Sequence, residues 1–368
     1  MSKQARAPTP LVLDPRAALL VLVLRSSPSL NLKIRELFKP IDRLTTGFSR
    51  AISLTVTELF MTLFVPLAAA AIDRRFARRI MLLFSLNLYV VNALKNALQL
   101  PRPRSADGSG AGLSHEEMGY GFPSLHSAES LALPMFAVSA SSYPPLAAAL
   151  SSGVAGYLMS AWPGLVGFAR LHLGVHSLPD VLGGWLLGYA LSRQFERAVA
   201  SGGLEGLLTS SLLPPLVLPF AVTMALLHPR PPVAEAAAHA SSGKKADTSV
   251  TESAIVLGCA AGTAIAMWRD ANYPHAQLPP LPMVAAAQGA GGVLIKFLTA
   301  VLLTGGSKAF LKPAARALVD GVASALGGRV ATELAPPGGA VRDCYARVLC
   351  YTGLGYVVLD VVPMLCGN

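Results

Sequence analysis

The stretch IMLLFSLNLYVVNALKNAL, residues 80–98, decides how the chain folds. It is apolar along most of its length, and a helix needs roughly 20 such residues to cross the hydrocarbon core of a membrane. The same character runs through the 368-residue chain, which is 53% hydrophobic and 14% charged, with a mean hydropathy of +0.52. These values are far from those of a soluble globular domain. The sequence therefore predicts an all-α integral membrane protein.

Further apolar stretches occur on both sides of this one. Together they predict a multi-span transmembrane helical bundle of about eight or nine spans. The third and the fifth are short, so their polar flanks must extend the helices. The predicted spans are Ile52–Ile72, Ile80–Leu98, Ser127–Ala140, Leu146–Phe168, Val181–Leu191, Leu212–Leu227, Ala254–Met267, Val284–Leu303 and Leu349–Leu365.

Composition also divides the chain into regions. We predict an N-terminal cytoplasmic or interfacial segment over 1–50, a membrane core over 51–227, a flexible loop over 228–252 and a C-terminal membrane region over 253–368. The loop is rich in Pro, Ala, Ser and Lys, which is typical of unstructured inserts. The apolar run Ala17–Leu24 is too short to span the membrane and favours an interfacial helix.

The basic residues, which give a formal net charge of +10, lie mainly between the predicted spans. This placement indicates membrane topology rather than nucleic-acid binding. Four arginines within Asp73–Arg79 predict a short cytoplasmic loop before the second span. The outer ends of the second to fifth spans would then face the lumen or the exterior. Basic residues between Lys33 and Arg50 also compete for the cytoplasm and oppose this orientation.

Three clusters of ionisable and polar residues lie at those outer ends. A charge at the centre of a membrane helix costs about 2.5 to 3.5 kcal/mol, so charges near membrane depth need a reason. The clusters are Lys95 with Arg102, Ser124 with His126, and Arg170 with His176 and Asp180. Taken alone, the first cluster is typical of snorkelling side chains, and the third suits a helix start capped by Ser177 with Pro179 in its first turn.

Together the clusters supply the groups that phosphoryl transfer needs. Lysine and arginine stabilise the charge on phosphoryl oxygens, while one histidine attacks and another protonates the leaving alkoxide. Asp180 could accept the ring N–H of His176 and leave the other ring nitrogen free to attack. No carboxylate cluster suited to a divalent metal accompanies these residues, so we expect neither a metal nor a cofactor. His172 lies four residues before His176 without a third ligand, which favours a position in the wall of the site.

The order K-x6-R-P, P-S-x-H and R-x5-H-x3-D resembles the three-part signature of the type 2 phosphatidic acid phosphatase superfamily. The segments GYGFPSLHS (119–127) and ARLHLGVHSLPDVLGG (169–184) look most like its sphingosine-1-phosphate phosphatase branch. The resemblance covers about Lys95–Asp180, and three parts in order are far more specific than any one of them. The chain departs from the superfamily's common pattern at Leu125, often Gly, and at Ala169, often Ser.

The resemblance implies a metal-independent phosphoric monoester hydrolase, a lipid phosphate phosphatase whose catalytic core lies in the second to fifth spans, within 51–227. His176 would be the nucleophile that forms a phosphohistidine, Asp180 its orienting partner, and His126 the general acid. An endoplasmic reticulum membrane, with the active site facing the lumen or exterior, also fits the resemblance. The phosphate-binding residues that it implies are Lys95, Arg102, Ser124 and Arg170.

The expected substrate is a phosphorylated sphingoid base taken from the bilayer, sphingosine 1-phosphate or dihydrosphingosine 1-phosphate. Phosphatidic acid, lysophosphatidic acid and polyprenyl diphosphate keep the same chemistry and stay open as alternatives. A non-catalytic protein that binds or transports anionic lipid is an alternative of another class, although a binder has no need of two histidines and a carboxylate. A vanadate-dependent haloperoxidase is poorly matched to so many spans. No nucleic acid is expected as a partner, and the sequence leaves the oligomeric state open.

Overall fold

The computed structural model describes residues 30–103, 119–230, 249–274, 289–325 and 340–366, and these form helices and turns without a β-strand. The predicted all-α membrane class is confirmed. A 3-10 turn at Lys39–Ile41 and a π-helical turn at Val357–Val361 accompany the α-helices. The α-helices are α1 (30–38), α2 (Asp42–Leu54), α3 (Glu58–Ala71), α4 (Arg74–Leu98), α5 (Leu125–Ala137), α6 (Pro144–Ser151), α7 (Gly153–His172), α8 (Leu178–Ala200), α9 (Gly203–Thr209), α10 (Leu213–Leu227), α11 (Ser249–Asn272), α12 (Gly289–Ala325), α13 (Ala340–Tyr356) and α14 (Val362–Leu365).

Within those described ranges, four helical segments are long and apolar enough to cross a membrane, or up to six if each of two bent pairs counts as one span. The bent pairs are residues 30–54 with α3, and α9 with α10. Helix α5 is short for a full span, as the sequence predicted for this segment. The number of eight or nine spans therefore stays a prediction. So do the region boundaries, and Ala17–Leu24 and most of the loop over 228–252 lie outside the described residues.

Two predicted spans are interrupted in the structure. The first breaks between α2 and α3, which meet at 50°, because Thr57 is extended and its hydroxyl caps α3. Glu58 thus lies in the first turn of α3 instead of in the middle of a span. The fourth breaks between α6 and α7, where Ser152 is extended and Gly153 has a φ of +55°. Glycine adopts this left-handed conformation without a steric penalty.

The arginine-rich segment Asp73–Arg79 is helical, so the prediction of a short loop was wrong. The Asp73 carboxylate caps α4, and the helix carries Arg78 into the protein, where it is 2% exposed. Its guanidinium donates to Asp270 at 3.1 Å and to Asp360 at 3.0 Å. These pairs join the start of α4 to the end of α11 and to the π-helical turn. The cytoplasmic placement of the segment stays a prediction.

Helices α5 and α8 lie side by side in backbone contact, and glycine permits the close approach. A Cβ atom at Gly184 would lie 2.4 Å from the carbonyl oxygen of Ser124, and one at Gly188 would lie 2.3 Å from that of Ala128. Small residues at such positions let two membrane helices pack at short distance. The packing aligns the first turn of α5 with the first turns of α8, and this positions the site described next.

Candidate active site

Ends of α4, α5, α7 and α8 meet at one place and bring the three sequence clusters together. Arg102, in the extended segment after α4, places its Nη1 atom 3.1 Å from Nε2 of His176. The charges of Lys95 and Arg170 and the ring of His126 act electrostatically on the same histidine. Residues that lie up to 81 positions apart in sequence, from 95 to 176, are therefore close in space.

His176 lies in the turn between α7 and α8 and is 1% exposed. The turn is possible because Gly174 adopts a left-handed φ of +71°. Asn31 of α1 donates to the backbone carbonyl of His176 at 3.0 Å, and Arg102 donates to that of Val175 at 3.0 Å. The backbone carbonyls of Val175 and His176 are thus both held by hydrogen bonds, which restricts the position of the imidazole.

Asp180 has two roles at the start of α8. Its Oδ2 atom accepts a hydrogen bond from the backbone N–H of Ser177 at 2.7 Å, and the Ser177 hydroxyl accepts from the Asp180 N–H at 3.3 Å. This capping box confirms the predicted helix start, with Pro179 in the first turn. The same Oδ2 atom lies 3.5 Å from Nδ1 of His176. The capped helix and the histidine–carboxylate pair therefore use one oxygen.

The partners of His176 fix the tautomer of its ring. An arginine donates and never accepts, so the ring nitrogen that faces Arg102 must present a lone pair. The proton then belongs on Nδ1, which faces the Asp180 carboxylate. Burial and the charges of Arg102, Arg170 and Lys95 hold the pKa of His176 well below its usual range. The imidazole is neutral at neutral pH, with the Nε2 lone pair directed toward a guanidinium that can bind an anion.

The first turn of α5 contributes Ser124 and His126. Ser124 is fully buried, and its backbone N–H donates to the Asp180 carbonyl at 3.0 Å, which ties the start of α5 to that of α8. Its hydroxyl accepts from the hydroxyl of Ser127 at 2.9 Å and caps the helix. A hydroxyl that accepts in this way can still donate its own proton to a ligand. His126 follows in the first turn and is half-buried.

The three cations reach the site from different elements. Lys95 is half-buried in the last turn of α4. The helix ends at Leu98, because Gln99 turns into the left-handed region ahead of Pro101. Arg170 is 2% exposed near the end of α7, where its Nη1 atom lies 3.4 Å from the hydroxyl of Ser53 on α2.

Two further ionisable residues lie near the site, His172 on α7 and Glu129 on α5. His172 stacks on Phe168 with ring centroids 5.7 Å apart and has Thr46 within 3.5 Å, so it packs against α2 in the wall. Over the residues that the structure describes, no group of three metal-ligating side chains was found.

Glu129 was missed by the sequence analysis. It is 1% exposed on α5, one turn after His126, and the signal available was an ionisable residue inside an apolar run.

Comparisons with known proteins match the part of the chain that contains this site. Residues 76–199 match the PAP2 superfamily, and this range contains every predicted site residue. Sphingosine-1-phosphate phosphatase 1 of Mus musculus is 30% identical over 129 residues, which are 35% of this chain and 29% of the relative. Lipid phosphate phosphatase delta of Arabidopsis thaliana is 27% identical over 150 residues, 39% of this chain and 35% of that protein. No solved structure matches the chain.

The chain is thus an integral membrane protein, and its candidate site lies where the ends of four helices meet. The chain spans about a third of the length of the curated relatives it matches, 29% to 35%.

Proposed function

We propose that this protein is a membrane lipid phosphatase that hydrolyses the phosphomonoester of a phosphorylated sphingoid base. The observation that carries the proposal is the position of His176, a buried neutral histidine with Asp180 on one side of its ring and Arg102 on the other. A ring nitrogen that presents an unprotonated lone pair to a cation suits attack on a phosphoryl group, since the cation stabilises the oxygens that gain charge.

The first step forms a covalent phosphohistidine. Nε2 of His176 attacks phosphorus, the bond between phosphorus and the lipid oxygen breaks, and His126 donates a proton to the departing alkoxide. Burial and the charges of Arg170, Lys95 and Arg102 hold the pKa of His126 well below its usual range, so its ring holds this proton only once the bound phosphate anion offsets those charges. Asp180 stabilises the positive charge that the His176 ring gains. The phosphoryl oxygens are held by Lys95, Arg102, Arg170 and the Ser124 hydroxyl.

The second step returns the enzyme to its starting state. His126, now neutral, takes a proton from water as the water oxygen attacks phosphorus, and the phosphorus–nitrogen bond breaks. Inorganic phosphate leaves, and His126 is protonated again. The lipid alcohol stays in the bilayer because its hydrocarbon chain does not leave the membrane. An endoplasmic reticulum location and a site facing the lumen belong to the same proposal and rest on the resemblance to the sphingosine-1-phosphate phosphatase branch.

The choice of a sphingoid substrate is supported by the matches to sphingosine-1-phosphate phosphatase 1, while the match to lipid phosphate phosphatase delta supports the broader class of lipid phosphates. Both names belong to proteins that this chain matches over about a third of their length. Phosphatidic acid, lysophosphatidic acid and polyprenyl diphosphate are the alternatives that the same chemistry would accept.

The test is phosphate release in detergent with a chelator present, from sphingosine 1-phosphate, dihydrosphingosine 1-phosphate and phosphatidic acid. We expect the wild type to favour the sphingoid substrates and His176→Ala to be inactive. His172→Phe is the matched control, because it changes a buried histidine four residues away and keeps the ring that stacks on Phe168. A brief reaction with labelled substrate should trap an acid-labile phosphoprotein in the wild type and in His172→Phe, but not in His176→Ala. No release from any of the three lipids by folded wild-type protein would overturn the proposal.

A further inference from the structure

An apolar cavity begins on α5 three residues beyond His126 and follows that helix into the membrane region. It has a volume of about 420 Å³ and is enclosed by α3, α4, α5, α6 and α7. This volume lies within the range of small-molecule binding sites. Along α5 the cavity runs from Glu129 to Ala137, a rise of roughly 12 Å. Its wall includes the side chains of Phe60, Phe64, Phe76, Leu133, Met159 and Trp162.

Glu129 is the ionisable residue among the described residues that line this cavity. Its side chain is 1% exposed, and its Oε1 atom has no hydrogen-bonding partner in the described part of the chain. A buried carboxylate without a partner is unfavourable by several kcal/mol in an apolar surrounding. An unsatisfied buried group of this kind calls for an explanation, and a missing ligand supplies one.

The position of Glu129 relates it to the proposed chemistry. It follows His126 by three residues on the same helix, so the two side chains lie on neighbouring positions of one face, about 4.5 Å apart along the axis. The charge of Lys95 acts on Glu129, as do the charges of Glu58 and Glu252. The outer end of the site is therefore cationic, whereas the apolar cavity beyond it begins at the carboxyl group of Glu129.

We infer that Glu129 binds the ammonium group of the substrate and selects a phosphorylated sphingoid base over lipid phosphates without an amine. This inference rests on the proposed function. In such a base the phosphate is on the first carbon, the ammonium group on the second, and the alkyl chain continues beyond. With phosphorus at His176 and the leaving oxygen at His126, the ammonium group comes next along α5, at Glu129, and the alkyl chain enters the cavity. The carboxylate then gains a charged hydrogen-bonding partner for Oε1, which no described residue supplies.

The first experiment compares Glu129→Gln with the wild type on two substrates, sphingosine 1-phosphate and lysophosphatidic acid. The substitution keeps the shape and removes the charge. We expect KM for sphingosine 1-phosphate to rise about tenfold or more, since a hydrogen bond between charged groups is lost, and kcat/KM for lysophosphatidic acid to change by less than about twofold. Glu205→Gln on α9 is the matched control, because Glu205 pairs with Arg79 and lies outside the cavity lining. An equal loss on both substrates, or no loss on either, would overturn the inference.

The second experiment does not depend on catalysis. Binding of labelled sphingosine, which carries the amine without phosphate, is compared with that of N-acetylsphingosine, whose nitrogen is neutral. The wild type should bind sphingosine more tightly, and Glu129→Gln should lose about tenfold of that affinity while binding of the N-acetyl derivative is unchanged. If the wild type releases no phosphate but shows this binding pattern, the proposed function fails and the role of Glu129 stands. Equal binding of both ligands by the wild type would refute that role.

Discussion

The Oδ2 atom of Asp180 lies 3.5 Å from Nδ1 of His176, and the same atom accepts the backbone N–H of Ser177 at 2.7 Å. One oxygen therefore orients the proposed nucleophile and caps the helix that follows it. The other carboxylate oxygen, Oδ1, is buried and has no hydrogen-bonding partner within the residues described. Asp180 therefore has a structural role in α8 and a proposed catalytic role at His176, and substitutions can test the two roles separately.

Asp180→Asn is expected to lower kcat by a factor on the order of 10² to 10⁴ with little change in thermal stability. The amide oxygen can still accept the Ser177 N–H from the position of Oδ2, but a neutral side chain no longer stabilises the positive charge on His176. The measurement is kcat for lipid phosphate release together with the unfolding temperature in detergent.

Ser177→Ala is the matched comparison for this prediction. It removes the hydroxyl that accepts the Asp180 N–H and keeps the carboxylate. Loss of an N-cap side chain destabilises a protein by about 1 kcal/mol, so the expected result is a lower unfolding temperature with a smaller loss of kcat. Should Asp180→Asn and Ser177→Ala reduce kcat alike, the proposed orienting role of Asp180 would be wrong.

Acidification is expected to destabilise the protein in part through His176. Because the folded-state pKa of His176 lies well below its unfolded value of about 6.5, the unfolded chain binds the proton first. The contribution of the neutral ring is thus fully present above about pH 6.5 and is lost as the pH falls toward the folded-state pKa. Thermal unfolding from pH 7.5 to 5 should show a smaller decrease for His176→Asn than for the wild type. Parallel curves for the two proteins would contradict the expected protonation state.

The structure brings together the residues that the sequence grouped into one site, whereas it interrupts two of the predicted spans. Lys95, His126 and Asp180 each stand where an apolar run meets a polar segment, and helix ends at one membrane surface can converge. Arg78 was misplaced because its partners Asp270 and Asp360 lie 192 and 282 residues away in sequence. No local pattern distinguishes such a buried arginine from one in a loop.

Glu129 was missed for a related reason. A single glutamate in an apolar stretch is visible in the sequence, but its meaning depends on the cavity, and five separate helices build that cavity. The helix breaks at Thr57 and Gly153 were also not predicted, because hydropathy averaged over a span does not show them. Each break lies at a short polar or small segment, Thr57–Glu58 or Ser151–Gly153, inside a stretch whose average over a span is apolar.

Gly184→Ala is expected to reduce activity and stability together. The new Cβ atom would lie 2.4 Å from the Ser124 carbonyl oxygen, a backbone atom that cannot move without displacing the first turn of α5. That displacement would separate Ser124 and His126 from His176. Overpacking of this kind destabilises by about 1 to 3 kcal/mol. Phosphate release and thermal unfolding measure the two effects.

Gly164→Ala on α7 provides the control, since a Cβ atom there meets nothing within 4 Å. An alanine in place of a helical glycine stabilises by roughly 0.5 to 1 kcal/mol, so this variant should remain active and unfold at the same or a slightly higher temperature. If the two variants behave alike, close contact between α5 and α8 is not what positions the site.

Arg78→Met is expected to destabilise the protein by about 3 to 5 kcal/mol, because it leaves the buried carboxylate of Asp360 without one of its cations. Asp360 is fully buried and is also paired with Arg269, which holds it beside the π-helical turn. Arg193→Ala is the control, because Arg193 pairs with Glu196 at a surface where its side chain is 44% exposed, and such pairs contribute about 0 to 1 kcal/mol. Thermal unfolding of both variants measures the difference. A small effect of Arg78→Met would mean that the C-terminal helices do not depend on this ion pair for their attachment to α4.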